Sequence, residues 1–358
     1  MTITDLLRTD RLMRATPFAA AFVLADAMVA LAQPNDANGT MPPPEPERAF
    51  SEREITAPGP SGPLNGTLTL PSEADAEPDA DPIILIVPGS GPTDRDGNSP
   101  LGIAAASYRM LAHALAERDI ASVRIDKRGM HGSSEAVTDA NAVTIADYAD
   151  DVVAWTDAIR TVVPNGAERC IVLLGHSEGG LVALEAVPAV EPCGVVLIAV
   201  PGRPFGTILR EQLAANPANA PILDQADAAI ASMERGERVD AGALHPGLQP
   251  LFDPSIQGFL IDLASRDPAR MAAPVDAPVL IVQGARDIQV AERDARALDG
   301  AAPASDLLVL ADMNHVLKAV TDDRADNLAS YADPDRPLAP SLADAIARFV
   351  ANLDPAKP

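Results

Sequence analysis

Ile83-Ile84-Leu85-Ile86-Val87 is an unbroken aliphatic run of strand length. A strand with one wet face alternates apolar and polar residues, so a run like this must be covered on both faces. Further segments of strand length, most of them mainly apolar, follow at 120–125, 170–174, 194–199, 279–283 and 307–310. Between them lie segments of helical periodicity, predicted over 101–118, from Thr144 onward, over 178–187 and 290–298, and from Leu342 to Val350 with Ser341 as its cap. The Thr144 helix is the clearest. Its cap has Asp147 three positions on, and Ile145, Tyr148, Val152, Trp155 and Ile159 line one face. Strand and helix in this alternation predict an α/β fold with a mostly parallel central sheet and helices on both faces.

Two stretches depart from the alternation. Residues 49–56 and 64–70 read as strands around a Pro/Gly turn, the second with a period of two. From 202 to 273 only helical pieces appear (206–214, 221–235 and 255–264), an insertion expected to form a cap over the sheet. The domain is thus placed at 48–353 with its cap at 202–273, followed by a tail at 354–358. An acidic loop, 72–81, separates the opening strands from the first buried one.

The N-terminal segment, 1–32, reads as an export signal. Arg8, Arg11 and Arg14 precede an apolar run from Phe18 to Ala32, and Ala30-Leu31-Ala32 has the small-x-small form of a cleavage site. Asp26 interrupts the run, and an amphipathic cytosolic helix is the alternative. The run is too short and broken for a membrane span, so no stable insertion of the mature chain is expected and a periplasmic or secreted location is. A Pro/Asn/Gly-rich linker occupies 33–47. Cys170 and Cys193 each open a predicted strand, and those strands would be neighbours. A disulfide and two separate buried thiols both remain open. The net charge of −24 argues against nucleic acid and anionic membrane as partners. Nothing in the sequence addresses oligomeric state.

The chemistry gathers on few residues. Gly175-His176-Ser177-Glu178-Gly179 fits G-x-S-x-G and falls where a strand gives way to a helix, a turn that exposes a serine hydroxyl in strained backbone geometry. Serine needs a base, and His315, just after strand 307–310, is the candidate. His113, His131 and His245 fall in a helix, a loop and the cap, and the ring of His176 should point away from Ser177. Asp287, directly after strand 279–283, would orient the imidazole; Asp312 is a rival too close in sequence to reach behind the ring. Backbone N–H groups of Glu178 and of Ser90, in Pro88-Gly89-Ser90-Gly91-Pro92, would hold an oxyanion. A dinucleotide reading of Gly89-x-Gly91 fails because Asp94 stands where a third glycine belongs. The polar run Thr93 to Asn98 is expected to brace the oxyanion loop, and Asp126 to Ser133 to form a structural turn rather than touch substrate. Cap residues Phe205, Phe252 and Phe259 form either a substrate pocket or the cap's own core.

With these residues in place, the chain from about 50 to 353 resembles the α/β-hydrolase superfamily, and within it bacterial carboxylesterases grouped with serine aminopeptidase-like hydrolases. The similarity is carried by Gly66-Thr67-Leu68-Thr69-Leu70-Pro71, by Pro88 to Asn98, by Gly175 to Gly180 and by Met313-Asn314-His315-Val316-Leu317-Lys318. It implies nucleophile, acid and base at Ser177, Asp287 and His315. The oxyanion loop departs from many relatives, which carry His-Gly where this chain has Pro88. The expected activity is hydrolysis of a small-molecule carboxylic ester through an acyl-enzyme, with no cofactor or metal. The alternatives are an amidase or aminopeptidase using the same residues, with Glu178 as the one nameable anion for a substrate amine, and a non-catalytic binding protein that keeps the fold.

Overall fold

The computed structural model describes residues 50–71, 82–163, 166 and 169–354. The segments at 1–32, 33–47 and 72–81, and residues 355–358 of the tail, lie outside them. The chain opens with β1 (Phe50–Pro58) and β2 (Pro63–Pro71), then β3 (Ile83–Val87), a small hairpin of β4 (Asn98–Ser99) and β5 (Ile103–Ala104), α1 (Ser107–Ala116) and β6 (Ser122–Ile125). There follow α2 (Ile145–Val162), β7 (Ile171–His176), α3 (Glu178–Val190) and β8 (Gly194–Ile198). Only helices are described between β8 and the next strand: α4 (Phe205–Ala215), α5 (Leu223–Glu234), α6 (Gln257–Ala264) and α7 (Pro268–Ala272). The end of the chain supplies β9 (Val279–Gly284), α8 (Glu292–Asp299), β10 (Ser305–Leu310), α9 (Arg324–Ala329) and α10 (Leu342–Ala351).

Eight strands form one sheet in the order β1-β2-β6-β3-β7-β8-β9-β10. The β1–β2 and β2–β6 pairs are antiparallel, and every pair from β6 to β10 is parallel. The aliphatic runs explain why. On β3, Ile84 and Ile86 face one core with Tyr108 and Leu111 of α1 and Leu342 and Ile346 of α10. Ile83, Leu85 and Val87 face the other, with Val152 and Trp155 of α2 and Leu181 of α3. The same split holds on β7, β8 and β9, so each strand is apolar on both sides because each side carries a layer of helices. Each fully buried Leu or Ile contributes about 2 kcal/mol through the water it sheds. No helix among the described residues is long and apolar enough to cross a membrane.

Three expectations need correction. The helix predicted over 101–118 starts only at Ser107, because 98–104 is drawn into the small hairpin. The Asn98 side-chain oxygen accepts from the Ala106 N–H at 2.9 Å, and Asp94 accepts from the Asp96 and Asn98 N–H groups. Ser341 precedes α10 but makes no side-chain cap; its φ of 70° turns the chain into the helix instead. Helix α9, short and polar, had no periodic signal to announce it.

The cysteine question is settled by strand order. Cys170 and Cys193 stand just before β7 and β8, neighbouring parallel strands, and are joined by a disulfide with Cα atoms 5.8 Å apart. The bond closes a short loop, with a sequence separation of 23, and chain-entropy reasoning puts its stabilisation at about 3 kcal/mol. Cys170→Ala/Cys193→Ala is expected to lower unfolding free energy by that amount in urea titration. Adding reductant should produce the same drop in the wild type and none in the variant.

Candidate active site

The end of β7, at His176, and the start of α3, at Glu178, leave a single residue to turn the chain. Ser177 takes φ 53° and ψ −126°, a strained conformation for a side chain with a Cβ. Its N–H donates to the Ile198 carbonyl of β8 at 2.9 Å, which ties the turn to the sheet. The turn is possible because its neighbours lack side chains. A Cβ on Gly175 would overlap the backbone of Gly179 and Gly180, and one on Gly179 would overlap the Val87 and Pro88 carbonyls. Ser177 is 2% exposed and His315 6%, so the site is sheltered from bulk water.

Asp287 follows β9 and His315 follows β10, and these strands lie side by side. The two meet as expected: His315 Nδ1 lies 2.8 Å from Asp287 Oδ2. Asp287 Oδ1 accepts from the Gln289 and Val290 N–H groups at 2.7 and 2.9 Å, and the Gln283 amide donates to Oδ2 at 3.4 Å. A carboxylate so surrounded by donors is held in one orientation, and the ring nitrogen facing its oxygen acts as the donor. That leaves His315 Nε2 as the basic nitrogen. The ring's carboxylate partner is Asp287, not Asp312. The loop carrying His315 is braced by Asn314, whose amide donates to Asn327 of α9 at 3.0 Å and to Ser330 at 2.7 Å. The Ser177 hydroxyl itself makes no hydrogen bond among the described residues, to His315 or to any other group. A serine hydroxyl rotates about one bond, and contacts of this kind commonly close only with substrate in place.

The loop after β3, expected to hold an oxyanion, is tightly braced. The Gly89 N–H donates to the Tyr108 hydroxyl at 3.0 Å, and a Cβ on Gly89 would press on Ser177 Cβ. The N–H groups of Ser90 and Glu178 have no partner among the described residues, which leaves both free to receive a ligand oxygen. The run from Thr93 to Asn98 braces this loop as anticipated: Arg95 binds Asp126 through its N–H at 2.8 Å and its Nε at 2.9 Å, and Thr93 caps the Ser90 carbonyl at 2.9 Å. In the turn after β6, Arg128 pairs with Asp151 at 2.7 Å and Ser133 bridges Asp126 and Asn65, as a structural turn would.

Sequence reasoning missed the roles of Tyr108, His176 and Lys127. His176 does point away from Ser177, but it points to something: Nδ1 is 2.7 Å from the Tyr108 hydroxyl and Nε2 is 2.8 Å from the His315 carbonyl. Burial, aided by the neighbouring His315, pushes its pKa down to about 3, and burial raises that of Tyr108. A neutral ring has one N–H, and a carbonyl can only accept, so the proton sits on Nε2. Tyr108 must then donate to Nδ1. One chain of bonds thus runs from Gly89 through Tyr108 and His176 to the backbone of His315. Lys127 is 3% exposed in its side chain, donates to the Gly89 carbonyl at 2.6 Å and lies 3.5 Å from the Glu178 carboxylate. The charged run Asp126-Lys127-Arg128 just past β6 was the available signal, since a buried charge demands a partner.

The cap phenylalanines divide. Phe252 is fully buried in the apolar cluster that joins the cap helices to one face of the sheet, and Phe259 packs edge-on against Tyr148 of α2, ring centroids 6.5 Å apart. Phe205, with Leu181 and Leu263, lines a small cavity that reaches Glu178. No group of His, Cys, Asp and Glu among the described residues is arranged to hold a metal.

Comparison with known proteins agrees with this architecture. Residues 101–317 match the Hydrolase_4 family, described as serine aminopeptidase, S33. Esterase EstD of Thermotoga maritima is 27% identical over 278 residues, 76% of this chain but only 61% of its own length. Among solved structures, Est1E from Butyrivibrio proteoclasticus with bound ferulic acid superposes with a TM-score of 0.52 at 16% identity, covering 84% of this chain and 98% of that one. Esterase Pf2001 of Pyrococcus furiosus gives 0.51 at 15% identity, covering 90% and 98%. With its strand order, its strand-to-helix turn at Ser177 and its matched span, the chain belongs to the Hydrolase_4 (serine aminopeptidase, S33) family of the α/β-hydrolase superfamily.

Proposed function

We propose that the protein is a serine hydrolase that cleaves small carboxylic esters through an acyl-enzyme. The observation that carries this reading is the Asp287–His315 pair at 2.8 Å, whose backbone is bonded through His176 to the turn that holds Ser177. In the first step Ser177 Oγ adds to the ester carbonyl while His315 Nε2 takes its proton. The carbonyl oxygen becomes an oxyanion facing the Ser90 and Glu178 N–H groups, each of which can lower the barrier by about 3 kcal/mol. The alcohol leaves with the proton from His315. Water then adds to the acyl carbon by the same route, and the acid departs.

One contact favours an ester over a peptide substrate. An aminopeptidase needs an anion for the substrate's ammonium group, and Glu178 was the available choice. Its carboxylate is buried, with Lys127 beside it at 3.5 Å, so it is already engaged. The name of EstD points the same way. A panel of p-nitrophenyl esters and aminoacyl anilides tests the assignment: short esters are expected to turn over, anilides to lag by at least about a hundredfold, and a fluorophosphonate to label Ser177. Anilide turnover without ester turnover would replace the esterase by an aminopeptidase, and an unlabelled Ser177 would leave a binding protein. Export to an oxidising compartment, proposed from residues 1–32, fits the Cys170–Cys193 disulfide. Cell fractionation, with the mature N-terminus read by mass spectrometry, tests it.

A further inference from the structure

Lys127 stands where it touches both halves of the oxyanion site at once. Its ammonium donates to the carbonyl of Gly89 at 2.6 Å, and that carbonyl belongs to the same peptide unit as the Ser90 N–H. No cis peptide bond occurs among the described residues, so in this trans unit C=O and N–H point in opposite directions. A cation on the oxygen therefore draws electron density away from the nitrogen at the other end, and the N–H becomes a stronger donor. The second contact is with the side chain of Glu178, the residue whose own N–H is the other donor. The ammonium also lies over the Tyr148 ring, 5.1 Å from its centroid. A fully buried cation is expensive, and a neutral side chain of the same shape would pack here without that cost. Its presence calls for a return elsewhere than in stability.

We propose that Lys127 is a positioning residue for catalysis, holding and polarising the Gly89–Ser90 peptide so that its N–H stabilises the oxyanion, with Glu178 setting how much of the positive charge the oxyanion experiences. The proposal rests on Ser177 being the nucleophile. It makes a prediction of sign that packing alone does not. Glu178→Gln removes the offsetting negative charge and, at a pH low enough to keep Lys127 protonated (burial lowers its pKa and Glu178 is the group that opposes this), should make the site more favourable to an oxyanion. Lys127→Met in that background removes the cation without stranding a buried carboxylate, and should make it less favourable.

The experiment uses a trifluoromethyl ketone carrying ¹³C at its carbonyl. The Ser177 oxygen adds to the carbonyl carbon, its proton passes to His315 Nε2, and the carbonyl π pair moves onto oxygen, giving a hemiketal whose ionisation is read by NMR. Relative to wild type, the hemiketal pKa is expected to fall in Glu178→Gln and to rise by about one unit in Lys127→Met/Glu178→Gln. For ester hydrolysis, kcat of the double variant should fall about 10-fold or more below that of Glu178→Gln, with KM within about twofold, as loss of a transition-state contact requires. Thermal melting of each protein shows that the fold is retained. Should the double variant not fold, Lys127→Gln/Glu178→Gln, which keeps an N–H toward Gly89 but no charge, replaces it, and the same rise is expected. A hemiketal pKa equal in the two backgrounds overturns the role of Lys127 alone. Failure of wild type to form the adduct at Ser177 instead overturns the nucleophile assignment, and the present proposal with it.

Discussion

Ser177→Ala is expected to abolish ester hydrolysis, lowering kcat by about 10⁵- to 10⁶-fold, while the protein melts within a few degrees of wild type. The size follows from the geometry. On the proposed mechanism alanine removes the oxygen that forms the acyl bond, so the remaining acceleration would come from the Ser90 and Glu178 N–H groups and from binding alone. The fold should persist because, among the described residues, the Ser177 hydroxyl makes no hydrogen bond whose loss would strand a partner. What strain exists at φ 53° lies in the backbone and is unchanged by the substitution. Stopped-flow and steady-state assays with a p-nitrophenyl ester, together with loss of fluorophosphonate labelling, check it. A variant retaining more than about a hundredth of wild-type kcat would place the nucleophile elsewhere.

Asp287→Asn should cost nearly as much, about 10⁴-fold in kcat, for a different reason. The Gln289 and Val290 N–H groups hold one carboxylate oxygen at 2.7 and 2.9 Å, and the asparagine oxygen must stay there to accept them. Its NH₂ is then forced toward His315 Nδ1, where a carboxylate oxygen now sits at 2.8 Å. Two donors cannot share that contact, so the imidazole carries its proton on Nε2 instead, the nitrogen that should take the proton of Ser177. The base is present and blocked. NMR of ¹⁵N-labelled histidine should report the exchanged tautomer directly, and a wild-type tautomer combined with full activity would show that Asp287 does not govern the ring.

How much of this was legible beforehand depended on whether the governing forces were local. The aliphatic runs at 83–87 and 279–283 declared strands because burial on both faces leaves no other composition available. Thr144 and Asp147 form a reciprocal capping box whose partners lie three residues apart, within reach of any sequence reading. Ser177, Asp287 and His315 could be placed because each follows a strand, and a parallel sheet delivers strand ends to one rim. The opening of α1 could not. It is decided by Asn98 and Asp94, which pull 98–104 into a hairpin through contacts that no helical periodicity encodes. Tyr108 and His176 are also out of reach of pattern reading, being 68 residues apart in the chain and 2.7 Å apart in space. Lys127 falls between these cases: its charge at a strand end was visible, but its partner Glu178 was read for its backbone, not its side chain.

The Cys170–Cys193 bridge enters β7 and β8 at the rim opposite the one where β7 delivers Ser177. Six residues of strand, about 20 Å, separate the two ends. Thiol chemistry at one end need not be felt at the other while the sheet stays intact. A freshly reduced enzyme would therefore turn over substrate like the oxidised one yet lose activity sooner on standing warm, so redox conditions would govern its working lifetime rather than its speed.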